Sequence, residues 1–351
     1  MKTLKTERLI LRKFAVNDFG AVHNYASSLE NVIYMPFGPN SENDTRTFID
    51  MAIAEADKSS CKNYQYAVTL KGSGVVIGGC GIGYNPMLPE NTAVLGWLLH
   101  RDYWRQGYGA EIGEVLLAFG FEEMNLHRIV AYCDAENMGS YKLMEKIGMR
   151  REGLFLESQP AHKMSERKYS NELAYAVLKS EWEARREVEY YSSAPCIFDG
   201  FIELPELSDG IIHLVCTEKM PYNPETKWVP SYSFMVCKGG EKIGNINLRI
   251  GYSESLYYGG QIGYGIDEKY RGSGYAVRAC RLLLPVIKAH GMKKILITND
   301  YTNTASQRVC EKLGAQLRRV ARIPKWHDMY KRGMRFANIY EWDVGQAGDI
   351  R

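Results

Sequence analysis

The sequence predicts an α/β (α+β) chain built as two tandem units, each a mixed sheet flanked by helices, and three observations predict it. One stretch occurs twice, first as Asp102-Tyr103-Trp104-Arg105-Gln106-Gly107-Tyr108-Gly109-Ala110 and later as Lys269-Tyr270-Arg271-Gly272-Ser273-Gly274-Tyr275-Ala276. Each copy follows a short apolar run and opens an apolar, helix-like segment. Downstream, Asn137-x-x-Ser140 with Glu145-Lys146-Ile147-Gly148 returns as Asn303-x-x-Ser306 with Glu311-Lys312-Leu313-Gly314, 30 residues after Gly107 and 29 after Gly274. Finally, 351 residues is long for one domain, and about two is the expectation. Strand patterns alternating with helix patterns give a sheet covered by helices. The duplication predicts two similar sites, in domains spanning residues 1–188 and 197–351 with a linker at 189–196.

In the first unit, Leu4 to Lys13 alternates apolar and charged residues and predicts a strand. Asn17-Asp18 offers a helix cap before Phe19, Val22, His23 and Tyr25, and a loop from Met35 to Asn43 leads to a helix over Thr45 to Ala56. Tyr64 to Leu70, Val75 to Gly83 and Ala93 to Leu99 read as three strands. After the repeated turn, Ile112, Val115, Leu116, Phe119 and Met124 give a helical face. Arg128 to Cys133 reads as a strand, Gly139 to Lys146 as a helix closed by Gly148, and Leu173 to Leu178 as the last strand. Glu181 to Tyr191 is charged and aromatic without one apolar face, a linker helix or loop. In the second unit the strands are Ile211 to Cys216, Ser231 to Val236, Ile243 to Ile250 and Gln261 to Ile266. A helix from Val277 to His290 should kink at Pro285, which lacks an N–H and crowds the preceding turn. Lys294 to Thr298 is a strand, Ala305 to Lys312 a helix closed by Gly314, and Ala337 to Val344 the final strand.

Composition narrows the function. A formal charge of +3, with no basic stripe interleaved with aromatics, argues against nucleic acid. Eight cysteines without a Cys-x-x-Cys pair or metal-like spacing read as buried thiols in a reducing compartment, so no metal is expected. No apolar run approaches the roughly 18 residues of a membrane helix, and Met1 to Arg12 lacks the apolar core of a signal peptide. A cytoplasmic protein without a membrane partner is the expectation.

A strand that ends in a small-residue turn and starts a helix favours phosphate, because free N–H groups and the positive end of the helix dipole point into the turn. The turn lacks the Gly-Lys-Ser/Thr ending of a P-loop. The run Gly78-Gly79-Cys80-Gly81-Ile82-Gly83 hints at a dinucleotide fingerprint, but Pro86 and Pro89 follow where a helix must start, so a glycine-softened strand and hairpin is the better reading.

Arg/Gln-x-x-Gly-x-Gly/Ala after a strand, then Asn-x-x-Ser and Glu-Lys-x-Gly one strand later, resembles the GNAT superfamily of acetyl-CoA-dependent acyltransferases, over nearly the whole chain in two copies. The resemblance implies two GNAT-type domains with mixed, mostly antiparallel sheets. In the first copy Leu4-Lys5-Thr6-Glu7-Arg8-Leu9-Ile10-Leu11-Arg12, Gly96-Trp97, Tyr103-Trp104, Leu126-His127-Arg128-Ile129 and Glu152-Gly153 are similar to ribosomal-protein alanine N-acetyltransferases. The second copy, with Gly259-Gly260-Gln261-Ile262-Gly263-Tyr264 and Leu296-Ile297-Thr298, resembles a predicted-acetyltransferase branch.

The resemblance implies acetyl-CoA lying against Gly96–Leu99, with Leu98 and Leu99, and against Gly263–Ile266, with Ile266. The pyrophosphate would sit on Arg105, Gln106, Gly107, Tyr108, Gly109 and Ala110, and on Arg271, Gly272, Ser273, Gly274, Tyr275 and Ala276. Trp104 occupies the place of the usual Arg or Gln. Asn137 and Asn303 would bond the cofactor arm, or else cap their helices.

Direct attack needs a neutral amine and a proton for the leaving thiolate. A lysine amine is neutral about once in several thousand at pH 7 and an α-amine about once in seven, so the need for a base depends on the acceptor. The family's acidic residue on the fourth strand is here Val94 and Gln261, and its acid tyrosine is Met144 and Cys310. Ser140 and Ser306 are the substitute acids that the resemblance implies, with Tyr141 as another donor and Glu157 as the base. For the second copy no base is named; Asp267 and Glu254 read as loop acids. His127 and His327 read as packed. Tyr252, Tyr257, Tyr258 and Trp326 line an acceptor pocket or form aromatic core. The expected partner is an amine, a protein N-terminus or a small molecule, met by a pseudo-dimeric monomer or a homodimer. The alternatives are an antibiotic- or polyamine-modifying enzyme, and a non-catalytic acyl-CoA-binding module in one or both domains.

Overall fold

The computed structural model describes residues 1–193 and 198–345. The chain divides into two compact units, Met1–Glu183 and the chain from Ala184 onward.

The first unit runs β1 (Leu4–Lys5), β2 (Leu9–Lys13), α1 (Phe19–Ala26), α2 (Leu29–Val32), α3 (Glu42–Ala56), β3 (Asn63–Leu70), β4 (Val76–Tyr84), β5 (Thr92–Leu99), α4 (Tyr108–Ala118), β6 (Arg128–Asp134), α5 (Met138–Lys146), β7 (Arg150–Pro160), β8 (Tyr169–Leu178) and α6 (Lys179–Ser192). Its strands form one sheet in the order β1-β2-β3-β4-β5-β6-β8-β7. Every pair is antiparallel except β5–β6. The sheet buries both faces because its strands alternate. Leu9, Leu11, Tyr66 and Val68 pack with Ile112 and Leu116 of α4 on one face, while Ala67 and Phe14 pack with Val22, Tyr25 and Ile49 of α1 and α3 on the other. Ser41 starts α3 with a reciprocal capping box to Asp44. Helix α6 begins in the first unit, where Trp182 packs on Phe121, and its Tyr191 belongs to a core of the second. The expected linker overlaps this helix as far as Ser192; its residues 194–196 lie outside the described residues.

The second unit runs β9 (His213–Met220), β10 (Ser231–Lys238), β11 (Glu241–Arg249), α7 (Glu254–Gly259), β12 (Ile262–Ile266), α8 (Tyr275–Leu282), α9 (Leu284–Ala289), β13 (Lys294–Asp300), α10 (Thr304–Leu313), β14 (Gln316–Arg322), α11 (Asp328–Lys331) and β15 (Phe336–Asp343). The kink expected at Pro285 is a full break: α8 ends at Leu282 and Pro285 sits in the first turn of α9, where its missing N–H costs nothing. The strands form two antiparallel sheets, β12-β11-β10-β9 and β13-β15-β14, so the mixed sheet of the first unit is here split. Residues 14–62, which carry α1–α3, have only residues 221–230 as their counterpart between β9 and β10.

Two other expectations change. The first strand is interrupted by a turn in which Thr6 N–H donates to the Leu9 carbonyl. Of the seven described cysteines, Cys80, Cys237, Cys280 and Cys310 are buried, whereas Cys61, Cys133 and Cys216 are partly exposed; all seven are free thiols, and Cys196 lies outside the described residues. Among the described residues no helix is long and apolar enough to cross a membrane and no metal-binding cluster occurs.

Candidate active site

The repeated turn has the same backbone in both units. After β5 a single 3-10 turn leads to Trp104, whose Nε1 donates to the Leu99 carbonyl at 2.7 Å. After β12 the matching turn leads to Arg271, whose Nε donates to the Ile266 carbonyl at 3.0 Å. Arg105 (φ 57°) then stands where Gly272 (φ 82°) stands, and Gly107 (φ 86°) where Gly274 (φ 78°) caps the next helix. Glycine adopts this left-handed conformation without the penalty other residues meet. Arg105 accepts it with a side chain, as bulky residues seldom do outside functional turns. The two glycines turn the chain so that the first N–H groups of α4 and α8 have no helical acceptor. Gly109 is small for another reason: a Cβ there would meet Leu143 Cδ2 at 2.7 Å, so it lets α4 pack against α5. Ala276 carries a Cβ at the matching place.

The strand beside each turn is freed on one side. β5 and β6 pair only at Thr92–Arg128, Ala93–Ile129 and Val94–Val130, and from Leu95 the two strands part. In the second unit the stitch is a side chain. Gln261, fully buried, donates its backbone N–H to the Leu296 carbonyl at 2.8 Å, and its side-chain Oε1 accepts from the Leu296 N–H at 2.7 Å. The position where the family carries an acid thus holds β12 to β13.

In the first unit the parted strands open a cleft of about 1300 Å³, lined from Arg105, Gly107, Gly109 and Ala110, along Gly96–Leu99, to Cys133, Asn137 and Ser140. Gln106 and Tyr108 do not line it: Gln106 Nε2 donates to the Asp102 carbonyl at 2.6 Å, and Tyr108 lies under the Arg8 guanidinium at 4.3 Å. Arg8 also donates to the Gln106 carbonyl at 3.0 Å and to Glu111. Asn137 caps α5, accepting from Ser140 N–H at 3.1 Å, which leaves its Nδ2 without a partner; Asn303 does the same for Ser306 at 3.1 Å. The helix-cap reading of both asparagines therefore accounts for their Oδ1 atoms and leaves their amide donors open. Burial pushes the Cys133 thiol up to about 11, against the pull of a hydrogen bond with Ser140.

Two of the expected catalytic residues are not brought to this cleft. Tyr141 packs against the core beneath α5. Glu157 is exposed, in a bulge of β7 with φ 49°, and its N–H donates to Asn171 Oδ1. Four carboxyls line the cleft: Glu172, paired across the sheet with Asp134, then Asp134 and Glu136 themselves, and Glu30, which is held by Arg101. Burial pushes the Glu172 carboxyl up, with only a hydrogen bond from Gln159 in opposition. Tyr132 lines the same stretch, its phenol pushed up first by burial and then by the charge of Glu172. Asp134 and Glu136 are already held by Arg167. Strand β8 starts at Tyr169, four residues before the apolar run that announces it, which is why Glu172 escaped sequence reading.

The second unit differs on this side. Ser306 Oγ and Tyr264 OH share a hydrogen bond of 2.8 Å. The residue opposite Asp300, matching Glu172, is the buried Ala337. Tyr257 is core, Tyr252 OH donates to the Lys294 carbonyl at 2.8 Å and Trp326 is half exposed, so the aromatic group is packing rather than one pocket wall. His327 is buried with Nε2 3.0 Å from the Ser255 carbonyl, as expected of a packed residue, whereas His127 is exposed.

A family model described as "Acetyltransferase (GNAT) domain" matches residues 8–150 and 213–316. The chain is 36% identical over 180 residues to the uncharacterized N-acetyltransferase YnaD of Bacillus subtilis (strain 168), covering 51% of this chain and 98% of that one. It is 34% identical over 163 residues to the uncharacterized N-acetyltransferase p20 of Bacillus licheniformis, covering 46% and 89%. Among solved structures, a GNAT-family acetyltransferase from Bacillus anthracis is 37% identical, covering 51% of this chain and 99% of that one, with a TM-score of 0.45.

Proposed function

The chain belongs to the GNAT acetyltransferase family, an acyltransferase class, and from that premise we propose that its first unit moves acetyl from acetyl-CoA directly to an amine, while its second unit holds the cofactor without turnover. The observation that carries the reading is the single cleft that joins the Arg105–Ala110 turn to Ser140 and Glu172. Its residues fit the cofactor: unpartnered N–H groups and the helix dipole at one end suit a pyrophosphate, and Arg105, Lys142 and Lys146 line the same cleft. The freed edge of β5 at Leu98 and Leu99, with the open amide of Asn137, suits the amide-bearing arm. When bound, acetyl-CoA supplies an activated thioester. Glu172, whose carboxyl burial pushes above its ordinary range, takes the proton of the attacking amine in its ionised form, in place of Glu157. Ser140 returns a proton to the departing sulfur.

For the second unit, Ile266, the Arg271–Ala276 turn and Asn303 offer the same cofactor side. Ala337 in the place of Glu172, and the short residues 221–230 in the place of α1–α3, favour holding over turnover. The free thiols suit the reducing cytoplasm, the compartment proposed for the protein.

The test is calorimetric titration of acetyl-CoA together with a thiol-release assay, on the intact chain and on Gly107→Glu and Gly274→Glu. Each glutamate crowds one turn and repels phosphate. Two sites should fall to one in either variant, and only Gly107→Glu should lose turnover. Turnover that survives Gly107→Glu and disappears in Gly274→Glu would reverse the assignment.

A further inference from the structure

On the other face of β5 lies a second cavity of about 1120 Å³, under α1, α3 and the loop of Met35–Asn40. It shares Met35, Phe37, Gly38 and Leu95–Leu98 with the cofactor cleft, so the middle of β5 has open space on both sides. At Gly96 a Cβ would meet nothing within 4 Å. The floor comes from the glycine run that the sequence left without a role. Gly79, Gly81 and Gly83 fall on one face of β4, since alternate residues share a face. A Cβ at Gly81 would meet Gln65 Oε1 at 2.7 Å, and one at Gly83 would meet Asn63 Oδ1 at 2.1 Å. The missing side chains let these two amides lie flat on the strand.

The lining is neutral. Gln65, Asn63, Asn40 and Asn43 have side-chain amides with no hydrogen-bond partner in the protein, and Phe48 and Met51 are among the apolar walls. Only Asp44 and Lys163 are charged. Asp44 is already engaged, accepting from the Ser41 hydroxyl at 2.8 Å and the Ser41 N–H at 2.9 Å. Lys163 makes no ion pair and repels cations. An acceptor with several ammonium groups would find Asp44 alone to pair them and would leave its other charges without a partner. An amide side chain offers both a donor and an acceptor to a neutral polar group.

We propose that this cavity receives the acceptor, that Gln65 and Asn63 are its specificity-determining residues, and that they select a monoamine with a neutral, hydrogen-bonding body against polycations. The inference rests on the acetyltransferase reading of the first unit. Acetyl transfer then forms an N–C(acyl) bond as the C–S bond breaks, the amine proton leaving to Glu172 and the sulfur gaining one.

The probes are alaninamide, spermidine and kanamycin, with acetyl-CoA and the intact chain. Alaninamide should be preferred in kcat/KM by at least about ten-fold, the scale on which an unpaired buried polar or charged group discriminates substrates. Gln65→Glu adds a carboxylate of the same shape and should shrink that preference about ten-fold by raising turnover of spermidine. Gly81→Ala, which displaces only the flexible end of Gln65, should raise KM for alaninamide while kcat stays. Equal use of the three amines by the wild type, or ratios unmoved by both variants, would overturn the proposal. So would tight acetyl-CoA binding without transfer to any of them. Failure to bind acetyl-CoA at all would instead sink the acetyltransferase reading, and this inference with it.

Discussion

The two units share a turn and differ in nearly everything that faces it across the site. Each has a left-handed glycine, at Gly107 or Gly274, and an indole or guanidinium nitrogen on the last carbonyl of the strand before it. Each also has an aromatic pair five residues apart, Tyr103–Tyr108 and Tyr270–Tyr275. On the far side the first unit has a roof of three helices, a half-dry carboxyl at Glu172 and a serine against a thiol. The second has residues 221–230, the buried Ala337, and a serine tied to Tyr264. On the proposed reading the cofactor half and the acceptor half are separable: the backbone of the turn is kept in both units, and the helices and carboxyl that face it in one. By the same reading, the turn that both units share serves binding, and Glu172, which only the first unit has, serves chemistry.

The sharpest way to break this comparison is at Glu172. Glu172→Gln should lower kcat/KM on the order of 10²- to 10⁴-fold, the usual worth of a general base, while calorimetry finds acetyl-CoA bound as before. The pH profile carries the sign. A base must be ionised to act, and burial has raised this carboxyl. Activity should therefore climb with pH through a value above the ordinary carboxylate range of about 4.3, and the variant should lose that limb. A profile identical in the two proteins would return the base to another group.

A smaller effect separates the two serines. Ser140→Ala should cost about ten-fold in kcat, since a hydroxyl is a weak acid and water can substitute in part. Ser306→Ala should leave turnover alone. It takes away the partner of the Tyr264 phenol, so thermal melting of the second unit should register a loss of about 1 kcal/mol. Equal kinetic losses in both variants would mean that both units turn over.

How much of this was legible in the sequence follows from where the signal lay. The turns were legible because a left-handed residue demands glycine and a helix start follows at a fixed offset. The core strands were legible from their alternation, and at Pro285 the missing N–H announced a kink where the structure has a full break. β7 was not: every residue of its burial pattern is exposed or half-exposed, so no apolar alternation marks it. Glu172 was hidden for a related reason, lying in the polar opening of β8 ahead of Leu173. Glu157 was suggested by the resemblance, but a bulge between Phe155 and Gln159 takes it out of register with the cleft. The glycine run of β4 was read rightly as a strand, yet its purpose depends on Gln65 and Asn63 of the neighbouring strand, a pairing that no local pattern carries.

The smallest predicted effect concerns how each unit pins its helix to the N-terminal turn. In the first unit the carboxylate is on the helix: Glu111 accepts from the Thr6 hydroxyl, the Arg8 N–H at 3.2 Å and the Arg8 guanidinium. In the second it is on the turn: Asp209 accepts from Ile211 and Ile212 N–H at 3.0 and 2.9 Å and from Arg278 of α8 at 2.7 Å. The polarity is exchanged and the tie remains. Burial opposes both charges, but hydrogen bonds and the facing arginine outweigh it and hold both carboxyls below their ordinary range. A depressed carboxyl stabilises the fold above its unfolded pKa of about 4 and loses that contribution as pH falls through the folded value. Glu111→Gln and Asp209→Asn should each cost about 1 kcal/mol at pH 7 and flatten the fall in stability between roughly pH 5 and pH 3. Denaturant titrations across that range would detect it. A wild-type slope that persists in Asp209→Asn would mean that the second helix is held by packing alone, and that the exchanged charges tune the turn rather than anchor it.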